Sequence, residues 1–248
     1  MPTYDALYDH KKTLNHILVR HEQGAVHAAQ GYARVSGKVG CVLVTSGPGA
    51  MNTITGVADA MVDSTPLVVI CGQVGASLLG TDAFQEVDVV GVTQPITKWN
   101  YQIRRAEDIA WAVARAFYIA KSGRPGPVVL DFTKNAQTAM FEYEPQKVDF
   151  IRSYKPVPQC EKSVIEKAAQ MINESVKPFI LVGQGVELAG AHKELLDLCE
   201  KAQIPFGQTF LGLSAAPSDH PLNMGRLGMH GNLAPNVMTN QCDLLIAI

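Results

Sequence analysis

The stretch CVLVTSGPGAMNTITGVADAMVDSTPLVVICG, residues 41–72, decides the fold. It opens with CVLVTSG, a β-branched run ending in a turn, and closes with PLVVICG, an apolar run of strand length. Between them, residues 48–61 read as a helix starting at Pro48, whose ring presets the first turn. Neither strand alternates polar with apolar, so both are buried on two faces. A helix joining two such strands implies a parallel sheet covered on both sides.

The same alternation extends outward. Residues 17–20 (ILVR) read as the end of a strand, and residues 22–35, rich in Ala and Gly, as a closely packed helix. Residues 107–121 form a helix with Ile109, Ala112, Val113, Ala116 and Phe117 on one face. Residues 126–132 (GPVVLDF) close the unit as a buried strand. From 135 to 159 the pattern breaks into prolines and mixed charges, as in a linker. A second alternation follows: a helix at 162–173, a strand and turn in KPFILVGQG, a helix at 187–201, and strands in IPFGQTF and DLLIAI. The expected class is α/β with two parallel-sheet units, divided as residues 1–134, a linker at 135–159, and residues 160–248. A last strand with no helix after it suggests a fragment.

Composition narrows the function. Of 248 residues 47% are hydrophobic and 18% charged, which suits a globular core and argues against disorder. Lys+Arg number 21 and Asp+Glu 23, a net charge of −2, so no electrostatic ground exists for a nucleic-acid or anionic-membrane partner. The five cysteines (Cys41, Cys71, Cys160, Cys199, Cys242) are scattered without a Cys-x-x-Cys pair. That suggests neither a disulfide framework nor a zinc site, and a reducing, cytoplasmic setting. The longest apolar run falls far short of the roughly 20 residues of a membrane-spanning helix, and MPTYDALYDHKK is not a signal peptide.

Several polar positions stand where open parallel sheets bind ligands, the carboxyl ends of the strands. Glu22 opens its helix there; a favourable interaction with the helix dipole is the plain alternative to chemistry. In VTSGPGAMN, Ser46 or Gly47 can cap the next helix, and Gly47 and Gly49 let a ligand approach the backbone. No G-x-G-x-x-G or G-x-x-x-x-G-K-[ST] occurs, which excludes both phosphate-loop readings. GTDAFQE (80–86) reads as a loop whose Gln85 and Glu86 are surface residues by default. Arg124, in the turn SGRPGP, is solvated or clamps a phosphate. His230, alone among glycines in GRLGMHGNLAPN, reads as structural or ligand-contacting rather than catalytic.

Residues 16–74 together resemble the thiamine-diphosphate enzymes. GTDAFQE, ITKWNY, SGRPGPVVLDF and LGMHGN narrow the resemblance to the large catalytic subunit of acetolactate synthase, over essentially the whole chain. It implies a pyrimidine-binding domain lacking its first strand, then part of a Rossmann-like FAD-binding middle domain. The domain binding diphosphate and Mg²⁺ is absent.

The implied reaction is decarboxylation of pyruvate and joining of the resulting two-carbon unit to a second 2-keto acid, pyruvate or 2-ketobutyrate, in valine, leucine and isoleucine biosynthesis. Glu22 matches the catalytic glutamate that hydrogen-bonds N1′ of the aminopyrimidine and favours its imino tautomer, a task suited to a poorly solvated carboxyl. Pro48 and Asn52 match pyrimidine-pocket positions. Gln85 matches an active-site glutamine supplied across a dimer interface, and Lys98 a lysine at the substrate entrance. Arg124, Gly185, Thr209, Phe210, Leu227, Gly228, Met229 and His230 match FAD-binding positions. The implied partners are further catalytic subunits, as a homodimer or tetramer, and a small regulatory subunit. DFTKNAQ in place of D-[VI]-P-K-D, and GQG in place of three glycines at 183–185, depart from the family pattern. Two alternatives stay open. One is a related decarboxylase or carboligase such as pyruvate oxidase or glyoxylate carboligase; Glu22, GTDAFQE and LGMHGN weigh against it. The other is a non-catalytic remnant. Lacking the diphosphate domain, the isolated chain is expected to form no acetolactate.

Overall fold

A computed structural model describes residues 2–248. It divides into two compact units, 1–158 and 159–248, each α/β with one four-stranded parallel sheet. The expected fold class holds for both.

The first unit runs α1 (Pro2–Asp9), α2 (Glu22–Ser36), β1 (Gly40–Val44), α3 (Pro48–Met51), α4 (Ile54–Val62), β2 (Leu67–Gln73), α5 (Val89–Thr93), β3 (Trp99–Ile103), α6 (Asp108–Lys121), β4 (Pro127–Thr133) and α7 (Lys134–Thr138). Its strand order is β1-β2-β4-β3. Parallel neighbours cannot be joined by a tight turn, so helices cross over the faces. On one face Val26, Val57, Ala60, Leu67 and Val69 form a core with α2 and α4. On the other, Val68, Ile103, Ala112, Ala116, Val128 and Leu130 pack beneath α6. That two-sided burial is why the strands carry apolar runs without alternation.

The second unit runs α8 (Lys162–Glu174), β5 (Pro178–Val182), α9 (Gln184–Ala189), α10 (His192–Ala202), β6 (Phe206–Gln208), β7 (Asn223–Arg226), α11 (Leu233–Gln241) and β8 (Leu244–Ala247). Its strand order is β7-β6-β5-β8, with Phe179, Ile180, Ile204 and Phe206 fully buried.

Several expectations need correction. Residues 17–20 join no strand ladder, and Ile17 and Leu18 lie exposed; an apolar run is a strand only with a hydrogen-bonding neighbour. The single helix expected at 48–61 breaks into α3 and α4 at Asn52 and Thr53, where the Thr53 hydroxyl donates to the Ala50 carbonyl (2.6 Å). The helix expected at 187–201 likewise breaks at Gly190, in the left-handed region at φ 64°. Strands β3 and β7 were not foreseen. The segment read as a linker begins inside α7, and its Ile151 is buried in the first unit's core beneath α6.

Glycine matters at the crossing of α2 and α4. A Cβ on Gly56 would lie 2.7 Å from Val26 Cγ1 and 2.8 Å from its Cβ, and a β-branched side chain in a helix has little freedom to yield. Gly56→Ala is therefore expected to destabilise the first unit by about 1–3 kcal/mol, read as a lowered denaturant midpoint; an unchanged midpoint would contradict the close packing.

One polar side chain sits in the sheet itself. Asp131 of β4 is fully buried, paired in register with Cys71 of β2 and Gln102 of β3. Burial pushes its carboxyl up to about 6, opposed by hydrogen bonds from Gln102 and Gln73; Asp88 raises it further and Arg104 lowers it. Because the folded state holds the proton more tightly, the stability this group contributes is full below pH ~4 and is lost as pH rises through about 6. Against Asp131→Asn, the native chain should lose up to ~3 kcal/mol between pH 4 and 7. Denaturant titrations of both at each pH would show this; a constant difference would refute it.

Candidate functional site

In each unit the polar loops gather at the carboxyl ends of the strands. In the first, α2 starts with His21 as N-cap, its Nδ1 accepting from the Gln23 N–H at 3.1 Å. Glu22 follows as the first helical residue. The break between α3 and α4 turns Asn52 toward it, and Asn52 Nδ2 donates to Glu22 Oε2 at 3.0 Å. A Cβ on Gly49 would stand 3.5 Å from Glu22 Oε1 and 2.7 Å from Thr45 Cγ2, so only glycine leaves this cradle open.

The carboxyl is not poorly solvated, contrary to expectation. Glu22 is half-buried, and the Asn52 hydrogen bond favours its charged form, holding it below the usual glutamate range. Tyr4 of α1, whose hydroxyl donates to the Leu43 carbonyl at 3.1 Å, is raised by burial and by the Glu22 charge. It borders a cavity of about 250 Å³ with Thr45, Ser46, Gly72, Gln73 and Lys134.

The loop 79–88 closes over the same strand ends. Gly47 takes φ 57°, and a Cβ there would lie 2.7 Å from the Gln85 carbonyl oxygen and 2.9 Å from its Cα. Gln85 itself is left-handed at φ 61°. The Glu86 carboxylate holds the loop from within, accepting from the N–H groups of Gly80, Thr81 (3.3 Å) and Ala83 (3.1 Å). These bonds lower its affinity for a proton. Glu86 is thus no default surface residue. Asn52 bonds Glu22, and Gln85 lies against Gly47, the residue before Pro48.

Two other candidates do not join them. Lys98 precedes β3, at the amino end of the sheet, where its ammonium donates to the Ile119 and Ser122 carbonyls that end α6. Arg124 lies in the turn before β4, donating to Ser64 Oγ (2.7 Å) and the Val62 carbonyl (3.2 Å).

In the second unit the expected residues cluster. Gly185 is in α9 just after β5, and Thr209 follows β6, its hydroxyl accepting from the Gly212 N–H at 3.1 Å. Phe210 is 69% exposed, with the Arg226 guanidinium 6.0 Å from its ring. Leu227 N–H donates to the Gln208 carbonyl at 3.0 Å. Gly228, at φ 116°, both donates to and accepts from the Asn236 amide at 2.9 Å. Met229 is 93% exposed, and the His230 carbonyl accepts from Arg226. Exposed apolar side chains beside glycine turns suit a flat ring system. Arg226 and Asn236 were missed; their one signal is that they flank LGMHGN. Among the described residues no group of three or more His, Cys, Asp or Glu could hold a metal ion, and no helix is long and apolar enough to cross a membrane.

The family model of the thiamine pyrophosphate enzyme N-terminal TPP binding domain matches residues 1–92, and that of the central domain matches residues 165–248. The whole chain is 49% identical to a Methanocaldococcus jannaschii protein named Probable acetolactate synthase large subunit, covering 42% of that protein. It is 48% identical over its whole length to the acetolactate synthase large subunit of Corynebacterium glutamicum, of which it covers 40%. Over 99% of its length it is 44% identical to that of Haemophilus influenzae, of which it covers 43%. The chain thus spans about two fifths of these relatives, and its two domains place it in the thiamine pyrophosphate enzyme family, as a segment similar to acetolactate synthase large subunits.

Proposed function

We propose that this chain is the pyrimidine-binding domain and part of the FAD-binding domain of an acetolactate synthase large subunit, divided as residues 1–134 and 160–248 about the segment 135–159, part of which packs into the first unit's core. The complete enzyme decarboxylates pyruvate and joins the two-carbon unit to pyruvate or 2-ketobutyrate, in branched-chain amino-acid biosynthesis in the cytoplasm. It works as a dimer or tetramer of catalytic subunits with a small regulatory subunit. The observation that carries the reading is the Glu22 carboxylate, held by Asn52 through Oε2 while Oε1 faces the Gly49 cradle at the carboxyl end of a parallel sheet.

Thiamine diphosphate, when bound, supplies the electron sink for decarboxylation. In this reading Glu22 Oε1 holds and returns a proton at the ring nitrogen of the aminopyrimidine, with Asn52 fixing the other oxygen so that Oε1 alone is presented. Pro48 borders the pyrimidine, and Gln85 reaches the reacting centre from its loop. On the family resemblance alone, and from the end of the sheet away from Glu22, Lys98 is assigned to the substrate entrance. Arg124, Gly185, Thr209, Phe210, Leu227, Gly228, Met229 and His230 are assigned to FAD. Mg²⁺ is assigned to residues outside this chain.

In the complete large subunit carrying this sequence, Glu22→Gln keeps the shape and removes the proton carrier. The expected loss in kcat is roughly 10²- to 10⁴-fold, and turnover near normal would overturn the assignment. A second measurement needs no activity. Because the Asn52 amide favours the charged carboxylate, Asn52→Leu is expected to raise the Glu22 titration midpoint, followed by carboxyl-carbon NMR of this chain. An unmoved midpoint would mean that Asn52 does not set the charge.

A further inference from the structure

The loop carrying Gln85 is fixed from below by the buried side chains of Gln73 and Asp131, which the half-buried Gln102 extends onto a third strand. Gln73, at the end of β2, donates through Nε2 to the Val87 carbonyl at 2.9 Å and to Asp131 Oδ2 at 3.2 Å. Its Oε1 accepts from the Val74 N–H at 2.8 Å. These partners leave one orientation for the amide: turned over, an oxygen would face two acceptors and a nitrogen would face an N–H. Asp131 Oδ2 also accepts from Gln102 Nε2 at 2.7 Å, and Gln102 Oε1 in turn accepts from Arg104 Nε at 2.6 Å. Asp131 Oδ1 is buried without a hydrogen-bond partner among the described residues.

A buried carboxylate with one oxygen unpaired is a costly feature in an otherwise apolar strand. Packing would be satisfied by a Leu or Val at 131. What the carboxylate adds is an acceptor that holds Gln73 with its N–H toward the loop. Two restraints then bracket Gln85: the Glu86 carboxylate closes the loop on itself, and Gln73 pins Val87 to the sheet. Between them Gln85 is held left-handed over Gly47.

We propose that Asp131 and Gln73 are positioning residues for this loop: the Asp131 carboxylate sets the Gln73 amide, and Gln73, through the Val87 carbonyl, keeps Gln85 at the site. The part played by Gln85 in catalysis rests on the function proposed above; the clamp itself does not, and the two are tested separately.

The test is hydrogen exchange of residues 80–88 in this chain, resolved by peptide mass spectrometry or NMR. Gln73→Met removes the donor to Val87, and Asp131→Leu removes the acceptor that orients it. Each is expected to speed exchange in the loop by about tenfold, the equivalent of roughly one buried hydrogen bond, while β2 and β4 stay protected. Asp131→Asn retains a carbonyl oxygen that can take both amides, and is expected to exchange in the loop no faster than the native chain. Gln102→Met breaks a bond to the same oxygen but has no path to the loop, and is expected to leave residues 80–88 unchanged. Should Asp131→Leu fail to fold, Gln73→Met and Gln102→Met decide the matter. Unchanged exchange in Gln73→Met would overturn the proposal. So would equal loosening of the loop by Gln102→Met, or acceleration spread evenly over the whole first unit. Kinetics of Gln85 variants in the complete enzyme would test the catalytic reading alone.

Discussion

Every strand of a parallel sheet ends on the same edge, so the turn that follows each strand is delivered to one crevice. Both units depend on this constraint. In the first it brings the starts of α2 and α3 and the loop 79–88 to the ends of β1 and β2, which is how a carboxylate at 22 meets an amide at 52, and a glutamine at 85 meets Gly47. In the second it brings the turns after β5, β6 and β7 together around Phe210 and Arg226. The sheets hold this edge in place through cores in which the central strands are buried on both faces.

Within that frame, small breaks do the positioning. The interruption at Asn52 and Thr53 divides one expected helix into two and turns the Asn52 amide onto Glu22. The left-handed conformations at Gly47 and Gln85 let two backbones lie closer than any Cβ at 47 would permit. Such strain persists only where its surroundings over-determine it. Here the Glu86 carboxylate within the loop and the Gln73 amide beneath it supply that determination.

How legible the site was depended on the kind of residue. Pro48 was legible at the strand–turn–helix junction after β1 and Glu22 at the opening of its helix, whereas Asn52 was singled out only through the family resemblance. Glu86 was misread as a surface residue because its partners are three backbone N–H groups of its own loop, and side-chain pattern carries no trace of them. The Glu22 environment was also misjudged: solvation is set by what surrounds a carboxyl in space, and the Asn52 bond outweighs the partial burial. Asp131 stood in plain view as the one acid in the run VVLDF. Its meaning needs the register that sets it against Cys71 and Gln102, and the reach of Gln73 from the strand beside it.

The sequence by itself determined that this protein is α/β with two units, because two-sided burial writes unbroken apolar runs and helical amphipathicity directly into residue order. It determined the family through motifs whose order is as specific as their content. Tertiary structure alone decided that residues 17–20 form no ladder and that residues 99–103 and 223–226 do, since pairing requires a neighbour that local composition does not name. It alone decided that Lys98 caps a helix at the far end of the sheet from Glu22, and that Asp131 meets Gln73 beneath a loop more than forty residues before it. Those are relations between strands that meet only on folding, and no periodicity within one segment can encode them.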